Sequence, residues 1–455
     1  MKKLPLLLIL TAMALPSHAQ YRSEVWCPDN GDGTYTNPVI NADYSDPDVC
    51  AGPSGTDFYM TASSFNCIPG LPILHSNDLV NWKIIGHALR ELTPKEVFDK
   101  TAHGMGVWAP SIRYHNGEYY IYWGDPDYGV YMVKTKDPAG RWDDPVLVIP
   151  GKGMIDTTPL WDDDGRCYLV NGWAGSRAGF KSVLSVRELS PDGTRAISDP
   201  VIVFDGNNDH HTAEGPKFYK HDGWYWIMCP AGGVATGWQL AMRSKSPYGP
   251  YEHKTVMAQG KTNVNGPHQG GWVRTAKGED WFLHFQDKGA YGRVVHLQPV
   301  NWVKGWPVMG TDKDGDLCGE PVIRYKKPDV GKTYPIENPA ESDEFNTVTL
   351  GKQWQWHSNY DQSYGQPTPY GFFRMYTHKL SENFVNLWEA PNLLLQKTPA
   401  DAFTATAKIT FAAKKEGQYG GIIMMGRDYS ALVVKRVGAV SYTHLRAHET
   451  VLDLV

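Results

Sequence analysis

The chain has 455 residues, a formal net charge of −5 and 20% charged residues. That length holds two domains with sizeable cores, and the mildly acidic balance excludes the polybasic surface on which nucleic-acid binding depends. Six cysteines (Cys27, Cys50, Cys67, Cys167, Cys229, Cys318) are scattered without a C-x-x-C pair, which argues against a zinc site or redox motif; in an exported protein some can pair, and the rest read as small buried hydrophobes.

At the N-terminus, Lys2 and Lys3 precede a mostly apolar run from Leu4 to Leu15, and Ser17-His18-Ala19 stands before Gln20. This is the pattern of a secretory signal with a small-residue cleavage site, predicted over residues 1–19. The apolar run is too short to span a bilayer, and no cysteine follows the cleavage site to carry a lipid. The expected location is periplasmic or extracellular, with no membrane anchor.

From residue 20 to 325 one theme recurs five times: an aromatic-rich strand after a polar turn. The copies are "TDFYMTAS" around Tyr59, "GEYYIYWG" around Tyr120, "GRCYLVNGW" around Tyr168, "GWYWIMCP" around Tyr225 and "EDWFLHFQ" around Phe282. They stand roughly 48 to 61 residues apart, a period near that of kelch repeats. Turns such as "NGE", "HDG" and "AKGED" make each copy the second strand of a hairpin. Short strands with no convincing amphipathic helix between them predict a five-bladed β-propeller. Aromatics at 12%, with 17 Trp and 25 Tyr, suit strands first and would also suit sugar binding.

Counting back roughly 11 to 14 residues from each aromatic marker, within one blade of this kelch-like period, reaches Asp46, Trp108, Asp156, Glu214 and His268. Innermost strands of a propeller converge on its axis, so these side chains are expected at the mouth of one funnel. Three carboxylates there fit glycoside hydrolysis: one protonated donor, one ionised to activate water or attack carbon, and a third that raises the donor's pKa by like-charge repulsion. Calcium loops draw several oxygens from one short segment, whereas these acids come one per blade. Phase leaves Asp46 and Asp48 open, since alternate strand residues share a face.

Beyond the propeller, residues 326–342 are rich in Pro, Lys and Asp and read as a linker. Residues 343–440, with alternating "FTATAKITFAA" and "GGIIMMG", read as strands of a partial β-sandwich. From Ser441 to Val455, "SYTHLRAHETVLDLV" lacks that alternation and is expected to be a non-native tail on a truncated domain, with exposed apolar edges as the consequence.

The segments "NPVINADYSDPDV", "GLPILHSNDLVNWKIIGHAL", "VWAPSIRYHNGEYYIYW", "IDTTPLWDDDGRCYLV", "AEGPKFYKHDGWYWI" and "YGRVVHLQPVNW" occur in this order and together resemble glycoside hydrolase family 43, the five-bladed propellers that include β-xylosidases and α-L-arabinofuranosidases. The resemblance implies Asp46 as general base, Glu214 as general acid, and Asp156 as the carboxylate that tunes and orients the acid, in an inverting mechanism. It further implies Arg293 on the sugar in the subsite before the cleaved bond. Trp108 and Phe65 are candidates for apolar walls against the ring, with core packing as the alternative. His268 stands where many members carry an axial histidine, in some contacting calcium or water; a satisfied core histidine is the alternative, and "HQGGWV" departs from the "GHGS"-like form, which weakens the case for a metal. His210 and His211 are candidates for the leaving-group side. The C-terminal segment is similar to the concanavalin-like domain of xylosidase-type members, which can lend a loop to the active-site rim. The expected activity is exo-acting release of arabinofuranosyl or xylosyl units from hemicellulose, with no required cofactor. A non-catalytic sugar-binding propeller is the competing class; the invertase type, with "NDPNG", "RDP" and "EC" signatures, does not match.

Overall fold

Each of the five aromatic strands is the second strand of a four-stranded antiparallel sheet. The computed structural model describes residues 21–447, apart from 427 and 439; the expected export signal over 1–19 and the last residues of the expected tail, 448–455, lie outside them. Blade 1 comprises Asp48–Ala51, Phe58–Thr61, Gly70–Ser76 and Lys83–Leu89. Blades 2 to 5 begin with the innermost strands Trp108–His115, Met154–Trp161, Lys217–His221 and His268–Arg274. Their second strands are Glu118–Asp125, Cys167–Trp173, Trp224–Ala231 and Asp280–Asp287.

Local sequence explains the hairpins. Asn116-Gly117 and Asp222-Gly223 both have positive φ and join strands that pair directly at His115–Glu118 and His221–Trp224. These are two-residue turns whose twist matches that of the strands. The core lies between blades rather than within one sheet. Val49, Met60 and Leu74 of blade 1 pack on Trp281, Leu283 and Leu297 of blade 5, and four further apolar clusters fill the other seams. A sheet buried on both faces needs near-continuous apolar runs, which is why the markers read as aromatic stretches rather than strict alternation.

The ring closes through its N-terminal segment. Ile40 bonds both ways with Val295 in the third strand of blade 5, Arg293–Val303. Asn37 donates to the Leu297 and Val322 carbonyls and accepts from Leu297 N–H, all at 2.8 Å. Thr34–Thr36 then pairs with Arg324–Lys326, so the propeller's two ends are tied together. Among the described residues no helix is long and apolar enough to cross a membrane. All six cysteines are free thiols, with Cys50, Cys167 and Cys229 buried.

Residues after Lys326 run back along the propeller without strands until Gln355–Trp356. The linker is anchored: Asn338 accepts from Ser23 N–H and Glu337 pairs with Lys83. The C-terminal domain contains small sheets, the largest pairing Tyr419–Met424, Ser430–Val437 and Val440–Ala447. The strand expected in "FTATAKITFAA" does not form; residues 403–413 are mostly exposed, and no ladder pairs them among the described residues. Alternation marks a strand only where a neighbour offers a ladder and a face to cover. Conversely, the segment after Ser441, which lacks alternation, is a strand as far as Ala447, held by backbone pairing to Ser430–Val437.

Candidate active site

Two residues before a fixed position in every innermost strand the backbone lies in the left-handed region: Asp46 (φ 54°), Ala109 (φ 30°), Asp156 (φ 58°), Gly215 (φ 61°) and Gln269 (φ 31°). Two residues later stand Asp48, Ser111, Thr158, Lys217 and Gly271, each paired in its ladder with the second strand of its blade. Such a kink re-aims a side chain from the sheet plane toward the axis, and aspartate is among the residues that tolerate it. This corrects the single phase read from sequence. Asp46 and Asp156 occupy the left-handed position, whereas Trp108, Glu214 and His268 stand one residue before it. Irregular register in blades 2, 3 and 5 makes counting from the second strand inexact by one.

The three carboxylates nonetheless meet, in three different environments. Asp46, 5% exposed, accepts at Oδ2 from the hydroxyls of Ser45 and Ser63, both at 2.7 Å, and at Oδ1 from Arg293 Nη1 at 3.1 Å. Asp156, 2% exposed, accepts at Oδ2 from Gly215 N–H at 2.8 Å. Burial, then the neighbouring Glu214 charge, push its carboxyl from the ordinary 3.8 up to about 8. Glu214 is the most open, its side chain 28% exposed. Gly172 lies beside both acids: a Cβ there would stand 3.6 Å from Asp156 Oδ2 and 3.7 Å from Glu214 Cα, in ordinary contact.

Arg293 is held from several sides. Its N–H donates to Asp43 Oδ1, Nη1 donates to Ser45 Oγ, and the guanidinium lies 4.6 Å from the centre of the Phe285 ring. Asp43, Ser45 and Asp46 thus divide the labour of the "DYSDPDVC" stretch. Asp48 faces the other way. It is fully buried, and its Oδ2 accepts from Ile112 N–H and from Arg113 Nη1 at 2.6 Å, an internal ion pair that leaves Asp46 as the acid at the mouth.

Phe65 and Trp108 both lie at the border of blades 1 and 2. The Phe65 and Val107 backbones bond reciprocally, and Trp108 is half-buried, donating from Nε1 to Gly104 O with Arg177 over its ring. The next residue, Asn66, donates to His357 O of the C-terminal domain at 2.7 Å, so that domain braces the Phe65 loop. His268 differs from a sugar-contacting residue: it is fully buried, and Nε2 hydrogen-bonds Glu214 Oε1 at 3.0 Å. His210 and His211 do not join the carboxylates; they pack on Trp238, with His210 also against His253. Ser45, Ser63 and Asp43 have no spacing signal in the sequence beyond their closeness to Asp46 or to the next strand.

His268 Nε2 is engaged by Glu214, while its buried Nδ1 has no partner; calcium takes six to eight oxygens, and of the side chains named around His268 only Glu214 offers one. The described residues bring three carboxylates within ligand distance of one another only at Asp312, Asp314 and Asp316, on an outer loop.

A five-bladed propeller whose axial mouth gathers three inequivalent carboxylates and an arginine has the architecture of a glycosidase. A sequence profile described as glycosyl hydrolases family 43 matches residues 35–307, and one described as beta xylosidase C-terminal concanavalin A-like domain matches residues 342–451, running past Ser441. A beta-xylosidase of Formosa agariphila is 33% identical over 458 residues, 90% of this chain and 76% of that protein. A non-reducing end alpha-L-arabinofuranosidase of Bacteroides ovatus is 32% identical over 431 residues, 89% of this chain and 77% of that protein. The solved structure of Bacteroides ovatus Xyloglucan PUL GH43B is similar at a TM-score of 0.79 and 27% identity, over 91% of this chain and 82% of that one. The chain belongs to glycosyl hydrolases family 43.

Proposed function

We propose that this protein is an exported, inverting, exo-acting glycosidase that releases α-L-arabinofuranosyl or β-D-xylosyl units from hemicellulose, such as arabinoxylan, arabinan and xylo-oligosaccharides. The observation that carries the reading is the electrostatic inequivalence of the three carboxylates. Asp46, fixed by two hydroxyls and a guanidinium, is arranged as a proton acceptor. Glu214, open to the mouth and beside a raised Asp156, is arranged as a donor. In one displacement, Asp46 takes a proton from water as its oxygen attacks the anomeric carbon, while Glu214 protonates the departing glycosidic oxygen. Inversion asks for about 6.5–9.5 Å between base and acid, so that a water fits between base and sugar. Arg293 is placed to meet sugar hydroxyls, and neither step draws on a redox or organic cofactor. The relatives' names support both pentoses, whose ring and hydroxyl patterns present similar shapes to one pocket.

The test is nitrophenol release from aryl α-L-arabinofuranoside and aryl β-D-xyloside by the wild type, Asp46→Ala and Glu214→Ala. Asp46→Ala is expected to lose about 10²–10⁴-fold of kcat/KM, and Glu214→Ala to keep a larger share, because nitrophenol departs with little protonation. Sugar binding by folded wild type without turnover of either substrate would leave a binding protein in place of the enzyme.

A further inference from the structure

Lys217 is fully buried, and the proposed mechanism gives it no part. It stands two residues after Gly215, at the position that Asp48, Ser111, Thr158 and Gly271 hold in the other blades. That ring of residues stitches the blades together around the axis. Asp48 accepts from blade 2 at Ile112 N–H, Ser111 Oγ donates to blade 3 at Thr157 O, and Thr158 Oγ1 donates to blade 4 at Pro216 O. Gly271 lies flat against blade 1, where a Cβ would come 2.5 Å from Asp48 Oδ1. Lys217 does not bond to its neighbour. Its Nζ crosses from blade 4 to blade 2 and donates to Pro110 O at 3.0 Å, so its ammonium spans the axis under the three acids.

We infer that Lys217 is a positioning residue of the active site: a cation carried by the chain itself, fixed on the propeller axis, whose field keeps the base Asp46 charged beside two other acids. The inference rests on the glycosidase reading above. The groups facing Lys217 are Asp48 and Asp46 from blade 1, Arg113 from blade 2 and Asp156 from blade 3; Glu214 precedes it on its own blade, tied to His268 of blade 5. Asp48 faces Lys217 most strongly and is paired with Arg113 at 2.6 Å; of the acids at the mouth, Asp156 and then Asp46 feel the Lys217 charge. Asp46 also faces the Arg293 guanidinium and the Ser45 and Ser63 hydroxyls. Burial pushes the Lys217 ammonium below its usual range, with Arg113 adding to the effect and the three aspartates opposing it. The three facing aspartates favour the charged amine over the neutral one.

Removing a nearby positive charge makes a carboxylate harder to ionise, so the acid-side limb of the kcat/KM profile must move to higher pH. The experiment records that profile for wild type, Lys217→Met, Lys217→Gln and Lys217→Arg on whichever aryl pentoside the wild type turns over, with thermal unfolding alongside. In both neutral variants the limb is expected to move up by about half a pH unit or more, and in Lys217→Arg it is expected to stay. A limb unmoved in folded neutral variants would overturn the inference, as would failure of both to fold while Lys217→Arg folds, because the charge would then serve only the fold. A wild type inactive on every pentoside would instead strike the glycosidase reading.

Discussion

At Asp156 the fold works against the charge that the side chain would carry in water. Its carboxyl is raised from 3.8 to about 8, first by burial and then by Glu214. A carboxyl that holds its proton more tightly when folded favours the native state fully below its unfolded pKa and loses that contribution as pH rises through the folded one. From about pH 4 to about pH 8, Asp156 therefore makes the protein progressively less stable. Asp156→Asn, which cannot ionise, is expected to gain stability relative to wild type across that window, read by thermal unfolding at pH 4, 6 and 8. It is also expected to lose about 10²-fold or more of kcat/KM; an unchanged stability difference across the window would show that the site does not strain this carboxyl. The three acids were legible in the sequence because each begins a blade's innermost strand. Ser45, Ser63 and Asp43 were not, since a hydroxyl or carboxylate that supports another side chain shows itself only through tertiary contact.

The left-handed position shared by the five blades is the element that aims the acids, and Gly215 is where it leaves least room. A Cβ there would stand 2.6 Å from Gln269 Cγ, on a backbone at φ 61°, and the same residue's N–H holds Asp156. Gly215→Ala is expected to destabilise by about 2 kcal/mol or more and to lower kcat through the displaced Asp156; a melting temperature equal to wild type would contradict this. Hairpins such as Asn116-Gly117 were legible because their turn chemistry is local. The one-residue offset between Asp156 and Glu214 was not, because a bulge changes the count without changing the residues that flank it. Residues 403–413 failed in the opposite sense: the pattern was present, but no strand among the described residues pairs with it.

Across the whole molecule, the account depends on a closed ring and on a second domain seated against it. Asn37→Ala would leave Leu297 N–H and the Val322 carbonyl without this side-chain partner, while Leu297 O keeps the Tyr35 hydroxyl, at an expected cost of about 2–4 kcal/mol, measured by denaturant unfolding. On the C-terminal side, Asn359 accepts from Leu92 N–H and donates to Leu92 O and Asp99 Oδ1, while His103 stacks on Trp388 at 3.6 Å. Asn359→Ala is expected to loosen that seat and raise KM more than it lowers kcat; the reverse split would show that the domain does not shape the pocket through this contact. Five blades were legible because the repeat is long and regular, whereas the docking was not, since its partners lie about 260 residues apart and share no motif. The most direct measurement is time-resolved proton NMR of the sugar first released from an aryl β-D-xyloside or aryl α-L-arabinofuranoside. A base and acid acting across a water predict the opposite anomer first, for the xyloside α-xylose, with the other appearing only by mutarotation. Release of the substrate's own anomer first would contradict the single displacement and the roles given to Asp46 and Glu214.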